Sequence, residues 1–251
     1  MAELHSPLAQ FEIKRVLPIH IGGLDLSFTN SALFMLLSVG LISVWILVSV
    51  GGRALVPGRW QSAAEMAYEF IAGMLRDNVG PEGRPYFPFI FSLFAFILFA
   101  NLLGMLPFAF TVTSHIIVTF ALAMVVFIGV TIIGFARHGL HFLKLFVPSG
   151  VPAALLPLLV VIEVISYFVR PVSLSVRLFA NMLAGHTMLK VFAGFILLLG
   201  SLGAGGAIGG IAPLAFIVAL TGLEIGIAIL QAYVFTILTC LYLNDAIHLH
   251  H

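Results

Sequence analysis

The chain has 251 residues, of which 61% are hydrophobic and only 8% are charged, with a formal net charge of +1. Soluble domains carry about 25% charged residues, so the composition excludes a soluble globular protein and leaves too few charges for a nucleic-acid-binding patch. The apolar runs are long and lack the alternation of barrel strands, which indicates helices as the spanning elements. The single cysteine, Cys240, excludes an intramolecular disulfide framework.

The N-terminal part of the chain is predicted to hold a polar arm, a spanning helix and a surface helix. Residues 1–32 form the arm, because no long apolar run begins before residue 33. Residues 33–50 approach the roughly 20 residues that a helix needs to cross a bilayer. Residues 60–78 place Glu65 and Glu69 on one face and apolar side chains on another. This pattern favours an amphipathic helix in the plane of the membrane, with an ordinary loop-domain helix as the alternative.

The middle of the chain predicts an upright helical hairpin. Residues 85–106 and 115–136 are apolar, and no Lys, Arg, Asp or Glu occurs between Arg84 and Arg137. The link at 107–114 is short, so the two helices are expected to be antiparallel neighbours.

Two overlong apolar segments follow and predict a long, tilted C-terminal hairpin. Residues 151–200 would reach roughly 75 Å as one helix, against about 30 Å of hydrocarbon. This segment must cross twice, tilt steeply or break, with Pro171 as the candidate break. Residues 211–243 are also overlong. We therefore predict an all-α integral membrane protein with a single membrane domain over residues 33–251.

Basic residues in the short loops predict the orientation. Loop 51–85 contains four arginines and loop 136–150 contains one arginine and one lysine, whereas the link at 107–114 contains neither. Because Lys and Arg concentrate on the cytoplasmic side, this pattern places the N-terminus outside and the C-terminus inside. The basic pair at 14–15 favours the opposite orientation, with fewer charges.

Arg177 is the first candidate functional residue, because a guanidinium within an apolar segment costs several kcal/mol in lipid. Glu163 and Arg170 precede it at steps of seven residues, which places all three near one stripe of a helix. Ser173 and Asn181 each lie one turn from Arg177. No carboxylate lies within one turn, so we expect a counter-ion from Glu224 or from another chain.

The last segment carries a second polar stripe, formed by Glu224 and Gln231, again seven residues apart. Two such stripes on neighbouring helices predict a hydrated seam that suits a small ion. His186 is the one histidine well inside a membrane segment, and a lone histidine indicates neither a haem nor a metal site. The alternative is purely structural, with Glu163 and Arg170 pairing to join helices. No phosphate-binding loop or nucleophile elbow occurs, and no cofactor or metal is predicted.

Three stretches resemble subunit a of the rotary F-type ATP synthase, in its alphaproteobacterial and mitochondrial variety. The most specific runs from Pro171 to His186 and reads PVSLSVRLFANMLAGH. The others are NLLGMLP at 101–107 with FTVTSH at 110–115, and Glu224 followed by QAYVF at 231–235. The resemblance covers the chain from about residue 25 to its end.

The resemblance implies a stator subunit with two aqueous half-channels that couple proton movement to rotation of a c-ring. It implies that Arg177 is the indispensable arginine, flanked by the polar side chains of Asn181 and Gln231. His186 and Glu224 match a pair of positions that hold Glu and His, respectively, in enteric bacteria. Further members of the implied proton path are Glu163, an acidic position of the family, and Ser173. The implied partners are the c-ring, b or b/b′ stalk subunits and the rest of the synthase, in a bacterial inner membrane.

Two other classes of protein also carry intramembrane charges. A proton-coupled secondary transporter would show internal repeats and interrupted helices in both halves, whereas here the charges lie in one C-terminal hairpin. A structural or quinone-binding subunit of a respiratory complex would call for a histidine or aromatic pocket rather than an unpaired arginine. The resemblance implies a subunit that is not an enzyme on its own but a non-catalytic part of the proton-translocating synthase.

Overall fold

A computed structural model describes residues 11–18, 20–21, 24–25, 27–51, 58–106, 109–147, 152 and 155–248. Within these residues, five helical stretches are long and apolar enough to cross a membrane: Asn30–Val50, Pro81–Gly104, Ile116–Phe146, Leu156–Gly200 and Ile211–Ile247. The predicted class, an all-α integral membrane protein, is confirmed.

The N-terminal arm adds two short pairs of strands to this helical fold. Strands β1 (Arg15–Leu17) and β4 (Phe28–Thr29) pair antiparallel, as do β2 (His20–Ile21) and β3 (Leu24–Asp25). The sequence predicts only a polar arm here, because runs of two or three residues are too short to show a strand pattern.

Helix α1 (Asn30–Val50) begins three residues before its predicted start. The Thr29 hydroxyl accepts a hydrogen bond from the backbone N–H of Ala32 at 3.3 Å, as in a helix N-cap. The Asn30 side chain accepts from Lys14 N at 3.1 Å and donates to Glu12 O at 3.1 Å. These bonds tie the arm to the first turn of α1.

Helix α2 (Arg59–Val79) is amphipathic, as predicted, and it buries Ile71, Met74, Leu75 and Val79. It ends at Gly80, whose φ of +81° lies in the region that favours glycine. A 3₁₀ helix, Pro81–Tyr86, leads from there into α3.

The predicted hairpin consists of α3 (Phe87–Gly104) and α4 (Ile116–His138). A further 3₁₀ helix, Gly139–Phe146, follows α4. The link between α3 and α4 is itself buried, from Phe110 through the 3₁₀ turn Val112–Ser114.

Helix α5 (Leu156–Gly200) is one continuous helix of 45 residues, about 67 Å long at the usual rise. A break at Pro171 is therefore wrong: the proline lies inside the helix, which tolerates its missing N–H. The short helix α6 (Ala204–Gly209) lies in a Gly-rich stretch, residues 200–210, that follows α5. Helix α7 (Ile211–Ile247) has 37 residues and continues four residues past its predicted end at 243.

The chain forms two compact units. Unit 1 comprises Met1–Ile42, Phe96–His115 and Leu178–Ala232. Unit 2 comprises Ser43–Ala95, Ile116–Arg177 and Tyr233–His251. Helices α1, α3, α5 and α7 contribute residues to both units, whereas α2 and α4 belong to unit 2.

Candidate functional site

In unit 1, α5 and α7 bring together a buried histidine and a buried glutamate. His186 Nδ1 lies 3.3 Å from Glu224 Oε1, and the two residues are only 8% and 4% exposed. Neither carboxylate oxygen of Glu224 receives a hydrogen bond from a protein group that the structure describes. The pair therefore combines an acid and a base that can exchange a proton in surroundings poor in other donors.

Gly185 lets the Glu224 carboxylate approach the backbone of α5. A Cβ at position 185 would lie only 2.6 Å from Glu224 Oε1, well inside normal contact distance. Glycine is thus the residue that fits here, and its requirement comes from close approach rather than from an unusual backbone angle.

The buried link between α3 and α4 supplies a third partner, Thr111. Its hydroxyl oxygen lies 3.0 Å from His186 Nε2 and 3.1 Å from the carbonyl oxygen of Gly104. The ring of Phe11 lies 6.4 Å from the imidazole of His186, centroid to centroid. Both ring nitrogens of His186 thus have a polar neighbour.

A second polar contact in unit 1 joins the same link to α3 and α7. Thr113 donates to Asn101 Oδ1 at 2.7 Å, and Asn101 Nδ2 donates to Ala228 O at 3.2 Å. Asn101 and Thr113 are fully buried. Of the predicted residues on this part of α5 and α7, Gln231 is buried and Asn181 is half-buried.

In unit 2, Arg177 is exposed on α5. Among the residues that the structure describes, no carboxylate lies within ion-pair distance of its guanidinium. Ser173, one turn earlier on α5, is also exposed, and Glu163 is half-buried. A permanently charged group on the apolar surface of α5 is thus left without a counter-ion from the described part of this chain.

Arg170 has a partner that the sequence does not predict. Its Nη1 donates to Asp245 Oδ2 at 2.9 Å, so the predicted alternative, a pair with Glu163, is wrong. The guanidinium carbon also lies 5.4 Å from the ring centroid of Tyr167 and 4.9 Å from that of Tyr242, within cation–π range. This cluster fixes α5 against α7 within unit 2.

Of the seven predicted site residues, only His186 and Glu224 are joined by a direct contact in the described part of the chain. Asn181 and Gln231 lie in unit 1 with them, whereas Glu163, Ser173 and Arg177 lie in unit 2. Thr111, Gly185 and Asp245 take part in these arrangements without having been predicted. Within the described residues, no three His, Cys, Asp or Glu side chains form a cluster that could hold a metal ion.

Residues 32–244 match the family model described as "ATP synthase A chain". The chain belongs to this family. It is 62% identical over 248 residues to the ATP synthase subunit a of Paramagnetospirillum magneticum, covering 98% of this chain and 99% of the relative. It is 61% identical to that of a Chelativorans species over 246 residues and 59% identical to that of Pelagibacter ubique over 249 residues; both alignments cover 98% of this chain and 99% of the relative.

Family membership confirms the function that the resemblance implies, a stator subunit that carries the proton path of the F-type ATP synthase. The chain is thus a membrane component of the proton-translocating complex, and the rest of that complex is its partner. Neither the secondary transporter nor the respiratory-complex subunit is favoured.

Proposed function

We propose that Arg177 is the fixed positive charge that couples proton movement to rotation of a c-ring. The observation that carries this proposal is the exposure of Arg177 on α5, without an ion-pair partner among the described residues of its own chain. An uncompensated charge at such a position is unfavourable in lipid. A carboxylate on a neighbouring, moving subunit would supply the missing counter-ion.

The chemistry of the guanidinium suits this role. It never loses its proton at accessible pH, so it cannot relay one across the membrane. Its charge favours the ionised form of a carboxylate that faces it. A protonated rotor carboxyl that arrives at Arg177 therefore gives up its proton to the path that leads out, and the ionised site then moves on. Contact with water keeps the attraction weak enough for the rotor to continue.

His186 and Glu224 act as the relay of the path that opens to the outside. Their buried contact at 3.3 Å places two groups that can each hold or release a proton side by side. Asn181 and Gln231 also belong to the proton path, as do Glu163 and Ser173, which lie on the α5 stripe of Arg177.

The partners follow from these roles. The rotor is a ring of c subunits with a carboxylate at membrane depth, and b or b/b′ subunits hold the chain in the stator. The chain does not itself cleave ATP, since its sequence has no phosphate-binding loop.

The location is the bacterial inner membrane, with the N-terminus periplasmic and the C-terminus cytoplasmic. Support comes from the basic residues of loops 51–85 and 136–150. Helix α2 lies in the plane of the cytoplasmic surface, because one of its faces is apolar and buried while the other carries charge.

Proton pumping in inverted vesicles that carry the whole synthase tests the role of Arg177. We expect Arg177→Ala to abolish ATP-driven pumping and to let protons leak through the membrane sector, because the barrier between the two paths is lost. Arg177→Lys should also fail, since an ammonium can lose its proton and lacks the planar fork. Arg76→Ala, which removes an exposed arginine from α2, is the control and should pump normally. Near-normal pumping in either Arg177 variant would contradict the proposal.

A further inference from the structure

The Thr111 hydroxyl has two polar neighbours but only one proton to donate. Its oxygen lies 3.1 Å from Gly104 O and 3.0 Å from His186 Nε2. Thr111 is 3% exposed and His186 is 8% exposed, so both contacts lie inside the protein. The direction of each hydrogen bond therefore decides where the protons of the imidazole sit.

Gly104 determines that direction. It is the last residue of α3, so its carbonyl has no partner within that helix. Among the described residues, the Thr111 hydroxyl donates a hydrogen bond to the carbonyl oxygen of Gly104. If the hydroxyl proton went to His186 instead, Gly104 O would lose the hydrogen bond that the described residues give it, at a cost in free energy. The hydroxyl thus donates to Gly104 and accepts a hydrogen bond from His186 Nε2–H.

This arrangement leaves Nδ1 as the nitrogen that faces Glu224. In a neutral imidazole with its proton on Nε2, Nδ1 carries a lone pair. Glu224 Oε1 lies 3.3 Å away, and a lone pair opposite an ionised carboxylate is repulsive. The structure shows this contact without a hydrogen bond from any described residue to either Glu224 oxygen, and it becomes favourable when the imidazole and the carboxyl group share one proton.

We propose that Thr111 is a positioning residue of the proton path, which holds His186 as the Nε2–H tautomer so that the His186–Glu224 pair retains one shared proton. This inference rests on the proposed relay and adds to it. When the pair passes its proton onward, Nδ1 and the carboxylate are left facing each other without one. The pair then takes the next proton from the outer side, and each transfer moves one proton in and one proton out.

Other groups around the imidazole leave this assignment intact. Lys190 lies one turn beyond His186 on α5 and is half-buried, and its charge opposes a doubly protonated imidazolium. The Phe11 ring near His186 is a weaker hydrogen-bond acceptor than the Thr111 hydroxyl. It therefore does not compete with Thr111 for the Nε2–H of His186. Thr113, in the same buried link, donates to Asn101 rather than to His186.

Nitrogen-15 NMR of the assembled complex, labelled in histidine, reads the tautomer directly. The His186 signals are identified by their loss in His186→Gln. In the unaltered chain and in Thr111→Ser we expect the Nε2–H form, because both retain the hydroxyl. In Thr111→Val the acceptor is gone, so the proton should shift to Nδ1, where it can donate to Glu224. Thr113→Val, which removes an equally buried hydroxyl, should leave the His186 signals unchanged.

ATP-driven proton pumping supplies the functional comparison. We expect Thr111→Val to lower the rate about tenfold, equivalent to roughly 1.4 kcal/mol at the barrier, and Thr111→Ser to restore it. An Nδ1–H signal without an Nε2–H signal in the unaltered chain, or an unchanged tautomer in Thr111→Val, would overturn the inference and leave the relay itself standing. Normal pumping after loss of both His186 and Glu224 would instead remove the relay, whatever the tautomer.

Discussion

Two pairs of ionisable side chains join α5 to α7, one in each unit. The two pairs differ in their burial and in whether they can gain and lose a proton. His186 and Glu224 in unit 1 are almost fully buried and lie 3.3 Å apart. Arg170 and Asp245 in unit 2 are more open, with 20% and 36% of their side-chain surface exposed. The first pair joins a weak acid to a weak base, whereas the second includes a guanidinium that stays charged.

The comparison shows how the same two helices carry both a variable and a fixed electrostatic contact. The Arg170–Asp245 pair keeps its charges, and the rings of Tyr167 and Tyr242 flank the guanidinium, so the pair is suited to holding helices together. The His186–Glu224 pair can gain or lose a proton, so its charge can vary, as the proposed relay requires. Burial makes each change of charge costly unless the partner compensates for it.

Among variants of these two pairs, the largest expected effect comes from removing the His186–Glu224 pair. His186→Ala combined with Glu224→Gln should lower ATP-driven proton pumping by about a hundredfold, the lower range of what a positioned acid–base group contributes. The complex should still assemble, which gel filtration checks. Glu69→Gln, at an exposed position of α2, is the matched loss of a carboxylate and should pump normally. Intact pumping in the double variant would show that the two pairs do not differ in the proposed way.

A smaller effect follows from disturbing the geometry of the variable pair. In Gly185→Ala the new Cβ meets Glu224 Oε1 at 2.6 Å, so the carboxyl group must move. We expect pumping to fall about tenfold, roughly 1.4 kcal/mol at the barrier. Gly194→Ala on the same helix is the control, because a Cβ there meets no atom within 4 Å. Equal rates in the two variants would mean that close approach to α5 is not required.

The fixed pair should affect stability rather than pumping. Partly exposed ion pairs contribute about 0.5 to 1 kcal/mol to folding stability. Asp245→Asn should therefore lower the thermal stability of the detergent-solubilised complex slightly. The decrease should be smaller at high salt, which already screens the pair. A double-mutant cycle with Arg170→Gln isolates the pairwise part. Asp77→Asn removes a loose, exposed pair with Arg76 and should change nothing. Loss of pumping in Asp245→Asn, with stability intact, would assign this pair to the proton path.

The smallest effect concerns acid stability of the link between α3 and α4. The His115 ring stacks on Phe110 with centroids 5.0 Å apart, and burial lowers the pKa of this imidazole from 6.5. As the pH falls below 6.5 the unfolded chain binds a proton that the folded chain resists, so folding stability decreases. His115→Gln should reduce this acid sensitivity, measured as melting temperature against pH. His141→Asn, at an exposed position, should leave the profile unchanged.

The helices are predictable because length and hydropathy decide them locally. The start of α1 and the end of α7 were less predictable. Asn244 and Asp245 resemble a polar terminus, yet α7 continues to Ile247. The role of Asp245 follows from its contact with Arg170 and not from the local sequence. Helix α5 also continues through Pro171, although the conformational preference of proline predicts a kink or an end at that point.

The residues of the candidate site could be proposed from the sequence where a motif marks them, and not where a contact depends on the folded chain. Arg177, His186 and Glu224 stand out in the sequence as polar groups within apolar runs. Thr111 does not, because its contact with His186 joins residues 75 positions apart and threonine is common in apolar segments. Its direction of hydrogen bonding depends on where α3 ends, which local sequence defines only to within a few residues.

The most direct test of the central claim is a density map of the assembled membrane sector that resolves the carboxylate nearest to the Arg177 guanidinium. We predict that this carboxylate belongs to a rotor subunit. A map in which Arg177 pairs instead with an acid of its own chain, turned away from the rotor, would contradict the account.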